Sequence, residues 1–183
     1  MLQGKTVNLR VMEKEDFSIL VEWYNNPEFF GEYVPLIQTS RIDMENAFEN
    51  RNSSETKTFI IEKKDGTKIG YIIHFNVTWN GIGKLTTIAY SLKPIERGKG
   101  FGTEAAQIMV DYLFLTKEIP CIQATAHIEN IASHRVLEKV GFKKEGIIRK
   151  RFYIRGEWPD QILFSILKEE WKEPKIKINL KLV

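Results

Sequence analysis

Apolar residues take every second position in "TVNLRV", where Val7, Leu9 and Val11 alternate with polar neighbours, and this period predicts a half-buried strand. Over "EKEDFSILVEWYNNPEF" the spacing becomes helical, and Asn25, Asn26 and Pro27 stop that helix. A weaker helix is predicted over residues 41–51. "KTFIIEKKDGTKIGYIIHFNV" reads as two strands joined at Asp65-Gly66, a pair suited to the tight turn of a hairpin. Asn80-Gly81 suggests another turn, and the strand "KLTTIAYSL" follows it.

Farther along, Ala106, Met109, Val110 and Leu113 form one apolar face of a helix that ends before Pro120. "CIQATAHI" is a short strand. Val136, Leu137 and Val140 return to helical spacing, and Gly141 is placed to end that helix in the left-handed conformation with Phe142 packed back on it. "GIIRKRFYIRGEWPDQILFSIL" is a hairpin turning around Arg155 to Pro159. The final "KIKINLKLV" alternates strictly, as an extra edge strand, within the monomer or onto a second chain, or as a frayed end. Strands with intervening helices make an α/β (α+β) mixture.

At 183 residues the chain suits a single domain, drawn here as residues 1–172 with a tail at 173–183. Composition narrows the classes. The longest apolar runs fall well short of the roughly 20 residues that cross a bilayer, and "MLQGKTVNLRV" lacks the apolar stretch of a secretory signal, so a cytoplasmic protein without a membrane partner is expected. One cysteine, Cys121, cannot form an intrachain disulfide, and Cys and His show no metal-ligand spacing. A net charge of +3 spread among interleaved acids gives no nucleic-acid footprint.

The most informative stretch is "KPIERGKGFGTEAA". Gly98, Gly100 and Gly102 stand directly before a helix, with Arg97 and Lys99 beside them. Backbone N–H groups of such a turn can converge on one concavity, and the helix start adds its own unpaired N–H groups and the positive end of its dipole. A phosphate or diphosphate is the natural guest. The pattern is neither a Walker loop nor G-x-G-x-x-G, which disfavours ATP and NAD.

A second constellation, "ENIASHRVLEKVGF", sets Asn130 and Ser133 at a helix entrance. Together the two stretches resemble the GNAT-type N-acetyltransferases, whose motif Arg/Gln-x-x-Gly-x-Gly/Ala is matched by Arg97, Gly100 and Gly102. "WYNNPE" and "GEWPDQILFSILKEEW" are similar to the RimJ/RimL-like branch, which acetylates N-terminal amines of ribosomal proteins. The resemblance implies a mixed, mostly antiparallel sheet with helices on both faces and a cofactor cleft where the fourth and fifth strands splay. It implies acetyl-CoA as cofactor, with its pantetheine arm along the backbone of Tyr90, Ser91 and Leu92 and its diphosphate on the N–H groups from Arg97 through Gly98, Lys99, Gly100, Phe101 and Gly102 to Thr103. Asn130 and Ser133 then face the thioester end.

Acetyl transfer to an amine needs oxyanion stabilisation, an acid for the leaving thiolate and a neutral amine. By resemblance a backbone N–H near Tyr90 to Leu92 serves the first need. Many relatives place an acidic tyrosine where this chain has Leu137; Ser133 is the RimL-like substitute, or else a helix N-cap. "LTTIAYSL" offers Thr86 and Thr87 where relatives often carry a basic Glu, leaving His74 and His127 as candidate bases or as structural histidines. Trp23, Phe29, Phe30, Tyr33, Tyr153 and Trp158 are candidates for the acceptor pocket or for the core, and Asp160 for an amine contact or a turn.

The expected activity is acetyl transfer from acetyl-CoA to a primary amine by direct attack, with a protein N-terminus as acceptor. A small-molecule amine acetyltransferase, a transferase of longer acyl chains, and a GNAT module that binds CoA without turnover are the alternatives. Monomer and homodimer are both open, and the alternating tail is the hint of a pair.

Overall fold

The computed structural model describes residues 1–50, 55–79 and 83–174. The Asn80-Gly81 turn and the alternating tail lie outside the described residues.

A single sheet of eight strands runs from Leu2 to Leu167 in the order β1-β2-β3-β4-β5-β6-β8-β7. Its strands are β1 (Leu2–Gln3), β2 (Val7–Val11), β3 (Lys57–Lys63), β4 (Lys68–Trp79), β5 (Gly83–Leu92), β6 (Cys121–His127), β7 (Lys143–Ile148) and β8 (Gln161–Leu167). All neighbours are antiparallel except β5 and β6. This mixed, mostly antiparallel sheet is the expected one. Two details escaped the sequence pattern: β1 is too short to show alternation, and β8 inserts between β6 and β7, so the strand just before it in sequence takes the sheet edge.

Helices cover both faces. On one lie α4 (Phe101–Thr116) and α5 (Ile131–Val140), packed on Leu9, Phe59, Ile72, Ile88 and Phe164. On the other lie α1 (Phe17–Asn25), α2 (Pro27–Phe30) and α3 (Arg41–Glu49), and the core there is built from Phe17, Trp23, Phe29, Ile60 and Tyr71. Double coverage explains why β3 reads as a run of four buried residues rather than an alternation. α3 buries no residue, the physical reason its sequence signal is weak.

Local chemistry sets the boundaries that matter for the site. Asn26 ends α1 in extended backbone, and its side chain accepts from the Glu28 N–H at 2.9 Å to cap α2 behind Pro27. Gly66 takes φ +86° in the β3–β4 turn. Gly141 ends α5 at φ +111°, and the Phe142 N–H donates to the Leu137 carbonyl at 3.0 Å, so Phe142 folds back into the core as expected.

Candidate active site

β5 and β6 are paired at Thr86 with Ile122 and Thr87 with Gln123, and nowhere beyond. From there β5 continues along β4 to the pair Leu92–Gly70, while β6 continues along β8 to the pair His127–Gln161. Among the described residues, the edge of β5 that faces away from β4 therefore has no strand partner from Ile88 to Leu92. Such backbone accepts an extended polar chain as an added strand. Tyr90, Ser91 and Leu92 lie on this edge.

β5 runs into a 3₁₀ turn at Pro94–Glu96 and then the glycine turn. Gly98 has φ +75° and Gly100 φ +87°, and a Cβ at either would meet nothing within 4 Å. Glycine is needed there for the left-handed backbone and for clearance in front of it. Among the described residues nothing accepts from the N–H groups of Gly98, Lys99, Gly100, Phe101, Gly102 or Thr103; the first helical bond of α4 is Glu104 N–H to the Gly100 carbonyl, 3.1 Å. The acidic side chain of that first turn is drawn off elsewhere, because Glu104 accepts from the Thr6 N–H at 3.0 Å. Open N–H groups at the start of a 16-residue helix form a cradle that fits a diphosphate.

The flanking cations are engaged by neighbouring groups of the chain. Arg97 turns back under the strand, its Nε donating to the Leu92 carbonyl at 3.1 Å and its Nη2 to the carbonyls of Phe29 and, at 3.3 Å, Glu28. It ties the end of β5 to the C-terminus of α2, whose last carbonyls lack helical partners. Lys99 pairs with Glu96 at 2.9 Å, and Glu96 also holds Lys63 at 3.2 Å. The cradle therefore offers backbone amides first and side-chain charge second.

Across the cleft, Asn130 is the N-cap of α5, its Oδ1 accepting from the Ser133 N–H at 3.0 Å. Ser133 thus sits one turn inside the helix, which removes the N-cap alternative and leaves its hydroxyl available. That hydroxyl lies 3.1 Å from the phenol of Tyr90. Burial, opposed by the Ser133 hydrogen bond, pushes the Tyr90 phenol up to about 12. The sequence reading used only the backbone of Tyr90. The signal was present in the alternation of Thr86, Ile88, Tyr90 and Leu92, which puts Tyr90 on the α4–α5 face, but the partner opposite was not.

Several expected site residues belong to the core instead. His74 is 1 % exposed beneath Phe59 and Tyr112, near the far end of α4, and neither ring nitrogen has a hydrogen-bond partner among the described residues. Burial first, then the charges of Lys117 and Lys57, push it down to about 4. It does not reach the cleft, so its role as base is withdrawn. Trp23 and Phe29 are 2 % and 1 % exposed and stack with centroids 5.0 Å apart, so both are core residues. Phe30 packs edge-on against Phe29 and Tyr24.

The remaining candidates lie on the segment after α2 and on the loop between β7 and β8. Tyr33 lies against the His127 ring at 4.8 Å, and Arg155 donates to the Gly31 carbonyl at 2.9 Å, joining the loop between β7 and β8 to the segment after α2. On that loop Tyr153 and Trp158 contact each other at 5.4 Å and are 56 % and 52 % exposed. The Glu32 carboxylate bonded beside Tyr33 raises its phenol above the ordinary value, with desolvation and the charge of Glu129 adding to this. Asp160 accepts from the Lys150 N–H at 3.1 Å as a turn residue. Among the described residues no group of His, Cys, Asp and Glu could hold a metal ion, and no helix is long and apolar enough to cross a membrane.

A strand edge opened by splaying, beside a glycine cradle at a helix start, defines an acyltransferase of the CoA-binding α/β type. The family model for the acetyltransferase (GNAT) domain matches residues 6–143, and the chain belongs to that family; it is an N-acetyltransferase that uses acetyl-CoA. It is 31 % identical over 170 residues to the uncharacterised N-acetyltransferase YnaD of Bacillus subtilis, covering 91 % of this chain and 96 % of that one. In fold it is similar to a spermidine N-acetyltransferase from Vibrio cholerae solved with CoA and spermine, at TM-score 0.80 and 21 % identity over 90 % of this chain and 97 % of that one. It is also similar to the ribosomal-protein-S5-alanine acetyltransferase of Vibrio fischeri, at TM-score 0.78 and 24 % identity over 93 % and 98 %.

Proposed function

We propose that the acceptor is an amine of low pKa, an α-amine at a protein N-terminus, as in the RimJ/RimL-like branch. One observation carries this reading. The sole histidine or carboxylate that β4 or β5 was expected to offer as a base, His74, is sealed in the core with a depressed pKa. At neutral pH an α-amine (pKa about 8) is roughly a tenth neutral, whereas a lysine-type amine (about 10.4) is neutral less than about one part in a thousand. The difference is roughly 3 kcal/mol; with His74 sealed away, β4 and β5 supply no base, and an α-amine asks least of His127, the candidate base left at the end of β6.

The residues divide the work. Amides from Gly98 to Thr103 hold the diphosphate, and the open edge of β5 at Tyr90 to Leu92 takes the pantetheine arm and offers an N–H to the developing oxyanion. Bound acetyl-CoA supplies the activated thioester. Asn130 fixes the start of α5 so that the Ser133 hydroxyl faces the leaving sulfur. The amine enters from the side of Tyr33, Tyr153 and Trp158 and attacks directly within a ternary complex.

A second acceptor class is favoured by a different observation. Glu32 and Glu129 both lie near enough to Tyr33 to raise its phenol, and acidic side chains beside it suit a polycationic amine; one fold neighbour is named a spermidine N-acetyltransferase. Thiol release from acetyl-CoA, measured with an alanine-terminated peptide whose lysines are blocked and with spermidine, separates the two. Higher kcat/KM on the peptide is expected. Faster turnover of spermidine overturns the α-amine reading.

A further inference from the structure

Resting on the placement of CoA given above, we infer that Tyr90 is a positioning residue whose phenol donates to Ser133 Oγ and thereby turns the Ser133 proton toward the sulfur of the cofactor. Three features of the structure carry this. The two oxygens are 3.1 Å apart, within O–H···O reach, and neither has another partner among the described residues. They come from opposite walls of the cleft, Tyr90 from β5 beyond its last pairing with β6, and Ser133 from the capped first turn of α5. The start of α4 packs on the same phenol ring, a Cβ at Gly102 standing 3.9 Å from it, an ordinary contact.

The direction of the bond follows from chemistry. A phenol is a stronger donor and a weaker acceptor than an aliphatic alcohol, and Ser133 has one proton and two lone pairs. With the phenol donating, the serine proton is the one left to point into the cleft. Leu137, one turn beyond Ser133 on α5, is 1 % exposed and carries no donor, and the hydroxyl pair spanning strand and helix stands in the same region.

Magnitudes decide what the pair does. An ordinary thiol titrates near about 8.5, so moving a proton from Tyr90 to a thiolate runs uphill by more than about three orders of magnitude. Both hydroxyls therefore keep their protons and donate hydrogen bonds. As the thioester C–S bond breaks, its electron pair goes to sulfur and is stabilised by the Ser133 O–H. Sulfur finally takes the proton that the acceptor nitrogen sheds, passed through water.

A donor aimed at a thiolate lowers the thiol pKa, which a merely structural tyrosine does not. The test uses the full-length protein loaded with CoA, with the bound thiol titrated by thiolate absorbance in the unaltered protein, Tyr90→Phe, Ser133→Ala and the double variant. The thiol is expected about one pH unit higher in Tyr90→Phe, about tenfold less thiolate at fixed pH. Turnover should fall about tenfold with the KM for acetyl-CoA nearly unchanged, the double variant should match Ser133→Ala, and Ser133→Thr should restore the thiol toward its original value. A Tyr90→Phe protein that binds CoA with its thiol unmoved overturns this inference alone. Failure of the unaltered protein to take up CoA overturns the cofactor placement and this inference with it.

Discussion

Gly100 and Gly66 make a controlled comparison between a glycine that serves a turn and one that serves a ligand. Both have left-handed backbone, φ +87° and +86°, and a Cβ at either meets nothing within 4 Å. Alanine at either position should therefore cost about 1–2 kcal/mol in urea unfolding, the penalty of an L-residue in that region. Only the environment beyond the chain differs. Gly100→Asp places a carboxylate before the open amides of α4 and is expected to abolish the heat of CoA binding in calorimetry, whereas Gly66→Asp leaves it intact. Equal CoA binding by the two variants would move the diphosphate away from the cradle.

At the scale of elements, the site depends on how two helices begin. α4 starts uncapped at Gly100, which keeps its amides free for an anion, while α5 starts with Asn130 as a closed cap. Asn130→Ala should destabilise the protein by about 1 kcal/mol and free the N–H of Ser133. Turnover should then fall by more than CoA affinity does, because Ser133 loses its fixed position. Thermal unfolding with and without CoA reads the first effect and steady-state kinetics the second; a kcat equal to that of the unaltered protein would dissociate the cap from the chemistry.

For the whole molecule, acid stability is governed by two buried groups remote from the cleft. His74, pushed down to about 4, stays neutral in the fold while the unfolded chain takes up a proton below about 6.5. The unfolded state then binds more protons, so stability is complete above pH about 6.5 and drains away as the pH falls to about 4, by as much as about 3 kcal/mol. Asp16 acts lower. Burial pushes its carboxyl up, but hydrogen bonds from Arg10, the Glu13 N–H and Lys68 outweigh this and hold it at about 2. Its stabilisation is present above pH about 3.9 and is lost between there and about 2. His74→Phe should therefore remove most of the fall in melting temperature between pH 7 and 4.5 and leave the fall below pH 4 in place. An unchanged profile in that variant would show that His74 is not the buried titrating group.

Periodicity, turn residues and caps are local properties, so the sequence by itself determined the strands β2 to β6 and β8, the helices α1, α4 and α5, the hairpin at Gly66 and the stop at Gly141; β7, expected to run on toward a tight turn at Arg155 to Pro159, instead spans Lys143–Ile148 and gives way to a long loop before Gln161. The left-handed glycine turn at Gly98 and Gly100 was legible too, because positive φ selects glycine locally. What lies opposite a residue is a long-range property. Only tertiary structure decided that Arg97 would tie β5 to α2, that Trp23, Phe29 and His74 would be sealed in the core, and that Tyr90 would meet Ser133. The alternation of a strand states which face a side chain takes and nothing about which helix covers that face. A cleft made by two strands that part after one short pairing is written in no single segment, since it arises where β5 stays with β4 while β6 stays with β8.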